Sequence, residues 1–196
     1  MQPAVSRAAA LMPSEIELAA SHLRQTTNCL IGAIKGTTDN QWTFRATPGS
    51  WSIAEIVEHI LFVQERVVGM VCTQLTAGTP ASADRDCQRI DAVIINQFPN
   101  RLGKFPAPEP SHPKGNLPLA LALERISANA QSLAECLATV PDLRKFVLDS
   151  PPLKAISKGE YTVMDGYQWI LAASAHTERH TKQILEVRAD PAFPLT

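Results

Sequence analysis

The chain has no apolar run approaching the roughly 18 residues that a membrane-spanning helix needs; Gln64, Glu65 and Arg66 interrupt its most hydrophobic stretch. It also lacks an excess of charge of either sign. With 18 basic against 19 acidic residues the formal net charge is -1, which leaves no electrostatic footprint for nucleic acid or an anionic membrane surface. Charged residues make up only 19% of the sequence and hydrophobic ones 45%, a balance that excludes wholesale disorder and supports a substantial core. Cysteine is sparse and follows no motif. Cys29, Cys72, Cys87 and Cys136 stand far apart with no C-x-x-C pair, which excludes zinc-ribbon and thioredoxin-type spacings, and all four are read as free thiols. Met1 to Pro13 lacks the apolar segment of a secretory signal, so a cytoplasmic protein is expected.

What is present is helical periodicity. Length alone favours one compact domain. The first helix is expected from Ser14, where Ser14 and Glu17 form a capping-box pattern, to Gly36, with Ile16, Leu23, Leu30 and Ile34 on its apolar face. A second capping box, Ser52 with Glu55, opens a helix reaching about Leu75. From Thr76 to Gly115 six prolines forbid any long regular element, although residues 84–97 can hold a helical segment; this connection is expected to cover one end of the molecule and wall a pocket. The third helix runs from about Pro118 to Val140. The fourth spans Val163 to Arg188, with Thr162 as its cap and Asp165 in its first turn. Lys145 to Tyr161 is ambiguous: Phe146 to Leu148 reads as a short extended piece that Pro151 and Pro152 end. Four long helices with little strand signal define an all-α fold, a four-helix bundle with a long Pro-rich connection between its second and third helices. Its expected extent is residues 14–188, with 1–13 as an extension and 189–196 as a tail.

Three histidines stand out. His176 and His180 are four apart on the fourth helix and share one face, where Trp169, Ala172, Ala173 and Ile184 make an otherwise apolar stripe. His59 lies on the second helix, flanked by Ile56, Phe62 and Val63, and is also expected to turn inward. Burial favours neutral imidazole, and each ring then carries a lone pair that either a hydrogen-bond donor or a metal can satisfy. Three such rings on facing helices suit a three-ligand metal site, and equally suit core histidines held by ordinary hydrogen bonds.

Trp51-Ser52-x-x-Glu55-x-x-x-His59, together with Ala175-His176-x-x-x-His180-x-x-Gln183-Ile184, resembles the DinB/YfiT-like superfamily over about Ser14 to Val187. The stretch from Lys104-Phe105-Pro106 through Pro113-Lys114-Gly115 is similar to a DinB-like branch with a Pro-rich segment between helices two and three. The resemblance implies a four-helix bundle holding one divalent ion through His59, His176 and His180. It also implies thiol-dependent S-transferase or isomerase chemistry with a low-molecular-weight thiol as partner; metal-dependent hydrolysis, by a bound water whose pKa the ion lowers, is the runner-up. A metal- or ligand-binding module without turnover is the alternative from another class. Three neutral imidazoles leave a coordination position open, as in catalytic rather than structural sites. Zinc or nickel leads as the ion, with iron or manganese also compatible. The expected partners are a small-molecule substrate and a second copy of the chain, with neither nucleic acid nor membrane.

Other side chains read as support. Thr177 stands where a zincin helix carries its general-base glutamate, which argues against that class. Glu178 and Glu58 are expected in solvent. Glu55 either completes the cap with Ser52 or orients His59, and the cap is preferred. Trp51 and Trp169 read as packing, Gln183 as closing the polar network around the histidines, and Arg45, Arg66 and Arg179 as ordinary surface arginines that can face an acidic substrate. His22 and His112 are set apart from the three.

Overall fold

In the computed structural model, residues 10–101 and 112–195 are described. Four long helices dominate: α1 (Pro13–Ile34), α3 (Ile53–Gly69), α5 (Leu119–Thr139) and α7 (Gly166–Arg188). Shorter helices α2 (Asp39–Thr43), α4 (Cys87–Gln97) and α6 (Pro151–Ile156) fill the connections. α7 packs against α1 and α3, and α5 closes the ring by packing against the same two helices. The directions follow from contacts at the two ends. The Tyr167 hydroxyl donates to the Glu15 carbonyl at 2.8 Å, and Arg188 donates to the Ala33 carbonyl at 2.6 Å, so α1 and α7 run parallel. The second contact also satisfies a carbonyl that the last turn of α1 leaves open. α3 and α5 run the opposite way.

The core forms two apolar groups, one at each end of α7. Around the start of α7, Leu75, Leu133, Leu137, Leu143, Met164 and Tyr167 pack together; around its finish, Leu30, Ile34, Trp42, Ile56, Ile60, Ile126 and Ile184 do so. Between Gly166 and Ala175 every residue of α7 is buried, because neighbours cover this stretch on all sides. Gly166 is required there: a Cβ would stand 2.7 Å from a Leu75 methyl and 2.8 Å from a Leu143 methyl.

Several boundaries differ from the sequence reading. α1 starts at Pro13 with no cap from Ser14; proline is pre-set for the first helical turn, and the Glu15 carboxylate accepts from the Met12 N–H at 2.7 Å. α3 ends at Gly69, and the chain then widens into a π-helical turn (Met70–Gln74) and a short 3₁₀ turn (Leu75–Ala77). Strand signal was underestimated. β1 (Thr79–Pro80), β2 (Phe146–Asp149) and β3 (Val163–Asp165) form an antiparallel sheet in that order. Pairing with β2 takes Val163 to Asp165 into the sheet, so α7 begins three residues later than expected, with Asp165 rather than Thr162 as its cap. Pro151 and Pro152 open α6, capped by Ser150, rather than only ending the strand.

The free-thiol reading is corrected for two cysteines. Cys72 and Cys136 form a disulfide, with Cα atoms 6.3 Å apart, while Cys29 and Cys87 are free. The π-helical turn after α3 carries Cys72 to its adjacent helix, α5, and brings together thiols 64 positions apart. No helix among the described residues is long and apolar enough to cross a membrane. Residues 102–111, which hold most of the Pro-rich motif, lie outside the described residues, as do residues 1–9.

Candidate metal centre

The centre is set by two helices running past each other in opposite directions. α3 begins at the cap Ser52, whose hydroxyl accepts from the Glu55 N–H at 3.3 Å while the Glu55 carboxylate accepts from the Ser52 N–H at 2.8 Å. This reciprocal cap fixes the first turn, and His59 follows one turn later with its side chain buried between helices. α7 contributes His176 from its middle and His180 one turn later. The Gln64 amide donates to the Thr177 hydroxyl at 3.0 Å across the α3–α7 contact, and Asn129 of α5 donates to Gln64 at 3.3 Å. These bonds pin the helices beside the histidines.

The three rings meet. Their centroids lie 5.0 Å (His59 to His176), 4.8 Å (His59 to His180) and 4.4 Å (His176 to His180) apart. One nitrogen from each ring falls within 4.8 Å of the others, so all three can address a single ion. His59 Nε2 and His176 Nε2 approach to 3.1 Å. At this separation the two rings either share one N–H···N hydrogen bond or, with both lone pairs turned inward, accept a common cation.

Burial depresses proton affinity at two of the rings. For His176, burial and then the nearness of His180, His59 and Arg179 push the pKa well below the ordinary 6.5. For His180, burial and then His59 lower it to about 3, against the opposing pull of its bond to Gln183. Both rings are therefore neutral at pH 7 and able to ligate. No carboxylate is among the charges acting on His176. His176 Nδ1, on the other side of the ring from the Nε2 that meets His59, is buried with no hydrogen-bond partner. The donor set, three imidazole nitrogens of which those of His176 and His180 are held neutral, fits a borderline divalent ion.

The flanking residues fall into place around this centre. Trp51 lies 5.1 Å from the His59 ring, centroid to centroid, and walls one side. Glu55 is held by its cap and by Arg45 at 2.5 Å, so the cap reading stands. Glu58 does not simply face water: one carboxylate oxygen accepts from the N–H groups of Lys114 at 2.6 Å and Gly115 at 2.7 Å. Gly115 makes this clamp with φ at +75°, against the Glu55 side chain. Glu178 turns outward to Lys182 and His22, as expected. Trp169 sits in the other apolar group, away from the three rings. Sequence reasoning missed Arg101, which donates to Gln183 at 3.3 Å while Gln183 meets His180 Nδ1 at 2.8 Å. Arg101 lies 82 positions from Gln183, and no local pattern marks it.

A bundle of this topology with an inward-facing histidine triad defines a class of helical proteins built around one candidate metal centre. The sequence model of the DinB superfamily matches residues 22–184, and the chain belongs to that superfamily. No curated protein matches the sequence. Among solved structures, the fold is similar to YfiT from Bacillus subtilis, described as "a probable metal-dependent hydrolase with an unusual four-helix bundle topology"; the TM-score is 0.52 at 18% identity, over 96% of this chain and 91% of that one.

Proposed function

We propose that the protein is a metal-dependent enzyme in which His59, His176 and His180 hold one divalent ion, zinc or nickel in the first instance. The convergence of one nitrogen from each of the three rings to within 4.8 Å, with two Nε2 atoms 3.1 Å apart, is the observation that carries this reading. A divalent ion in such a site acts as a Lewis acid that keeps a bound thiol as thiolate or lowers the pKa of bound water.

The nearby side chains favour the thiol. Water activation gains from a carboxylate base, but among the described residues Glu55 is committed to Ser52 and Arg45, Glu58 to the loop amides, and Glu186 to Arg101. A thiol, with an unperturbed pKa near 8.5, needs less assistance than water to become an anion. Arg179, whose charge acts on both His176 and His180, adds positive potential that stabilises an anionic nucleophile. Trp51 offers an apolar wall for the electrophile. We therefore read the protein as a thiol-dependent S-transferase acting on a small molecule. Hydrolysis is the second reading, favoured by the description of YfiT.

The test is a paired screen. Metal-loaded protein is mixed with small thiols and electrophilic acceptors and followed for the S-conjugate, then separately given activated esters and amides. Conjugate formation that His176→Ala abolishes supports the transferase, and ester or amide turnover with no conjugate replaces it with the hydrolase. A ligand that raises the melting temperature without turnover identifies a binding module instead.

A further inference from the structure

Gln183 is tied at both ends of one amide oxygen. Its Oε1 lies 2.8 Å from His180 Nδ1 and 3.3 Å from an Arg101 Nη1. Arginine has only donors, so the amide atom facing Arg101 must be the oxygen. An oxygen accepts, and His180 Nδ1 must then carry the hydrogen. For a neutral ring this leaves the lone pair on Nε2 alone.

Arg101 is itself held in one orientation. Its Nε and Nη2 donate to the two carboxylate oxygens of Glu186, each at 2.7 Å, a planar two-point grip that leaves Nη1 for Gln183. His180, Gln183 and Glu186 follow one another at three-residue steps along α7, so one face of the helix carries the whole chain of contacts. Arg101 comes from the turn after α4, in a different part of the chain. His176 has no such support, since its Nδ1 is buried without a partner.

We propose that Gln183, oriented by Arg101, is a positioning residue that locks His180 in the Nδ1–H tautomer and presents its Nε2 to the metal. This rests on the reading that the three histidines bind a metal ion. Without Gln183 the His180 ring is free to place its hydrogen on either nitrogen, and part of the population presents an N–H where a ligand is needed. Loss of such a partner costs about 10- to 100-fold in metal affinity.

The experiment combines two readouts on the full chain. Nitrogen-15 NMR of the imidazoles in metal-free protein at pH 7.5 reports which ring nitrogen of His180 is protonated. Zinc titration with a competing chelator gives the affinity. The wild type is expected to show His180 as Nδ1–H. Gln183→Leu should give a mixture of tautomers and about 10- to 100-fold weaker zinc binding. Gln183→Glu, which keeps an acceptor in place, should restore both, and Arg101→Ala should blur the tautomer signal by freeing the amide to rotate. A wild-type His180 protonated on Nε2 overturns the proposal before any variant is made. So does a Gln183→Leu protein with wild-type tautomer and affinity, or a loss that Gln183→Glu does not rescue. A wild type that shows the Nδ1–H tautomer and takes up no zinc refutes the metal reading while leaving the Gln183 lock standing.

Discussion

The two ends of α7 are both polar inside, and they are built on opposite principles. At its start, Arg144 reaches Asp91 at 2.6 Å, Asp165 at 3.1 Å and Glu15 at 2.5 Å, and Arg85 reaches Asp165 at 2.9 Å. Gln168 adds a bond to Asp91 at 2.8 Å, and the Arg144 guanidinium stacks over Tyr167 at 4.3 Å. Every charge in this group answers another. Toward the end of the helix stand three imidazoles with no acid acting on His176, one orphaned nitrogen and a close approach between two Nε2 atoms. A buried network that satisfies itself has nothing left to bind and serves the fold. One that gathers three imidazole nitrogens within 4.8 Å offers the donor set for a cation.

The largest test of this contrast is to remove the hub of the closed end. Arg144→Leu strands the Asp91 carboxylate and, at the edge, that of Glu15, and leaves Asp165 with Arg85 alone; breaking a buried pair on one side costs about 3 to 5 kcal/mol. Denaturant unfolding should register that loss. His176→Ala, by contrast, should leave the metal-free protein close to wild-type stability while removing zinc uptake. If the histidine variant proves the more damaging in the absence of metal, the three rings are core packing and the contrast fails.

The closed end carries a second clamp. The Cys72–Cys136 bridge ties the π-helical turn to α5 beside Leu75, Leu133 and Leu137. Native disulfides typically contribute about 2 to 4 kcal/mol, so Cys72→Ser with Cys136→Ser should lower the unfolding free energy by that amount. Zinc affinity should change little, because the bridge lies 13 positions beyond His59 along the α3 run. A large fall in affinity in the double variant would show that the two ends are mechanically coupled.

These two ends also differ in how far they could be read from sequence. Helices announce themselves locally: the apolar steps of α5 gave its limits to within a residue, and the Ser52–Glu55 cap was legible as written. His176 and His180 are neighbours by helical geometry alone. His59 needed only the inference that two apolar faces meet. The closed end has no such local signature, because Glu15, Arg85 with Asp91, Arg144 and Asp165 come from four separate stretches and acquire meaning only once packed. Cys72 with Cys136 and Arg101 with Gln183 are hidden for the same reason. The sheet was missed because strands of two to four residues carry too little periodicity, and β3 borrows residues that also suit a helix start.

Metal should act on the open end alone. Zinc at 100 times its dissociation constant should stabilise the wild type by about 2.7 kcal/mol through mass action, raising the melting temperature, and should do nothing for His176→Ala. In Arg144→Leu the increment should persist on the lowered baseline, since the hub lies outside the ligand set. An increment lost along with Arg144 would mean that the closed end shapes the ligands after all.

The acid response of the metal-free protein has a sign that separates the two ends. His180 titrates near 3 in the fold and near 6.5 unfolded, so between these values the unfolded chain binds more protons. Its contribution to stability is complete above pH 6.5 and is lost as the pH falls toward 3. At pH 5 the loss from this ring alone is about 2 kcal/mol, and His176, depressed in the same direction, adds to it. Asp165 acts oppositely: burial raises its carboxyl pKa despite Arg144 and Arg85, so the folded chain takes up that proton more readily than the unfolded one. Acid lability between pH 6.5 and 5 is thus assigned to the histidines. Unfolding measured across that window should flatten in His180→Asn and stay steep in Cys72→Ser with Cys136→Ser. A slope that survives the loss of His180 and His176 together would move the acid-sensitive groups out of the open end.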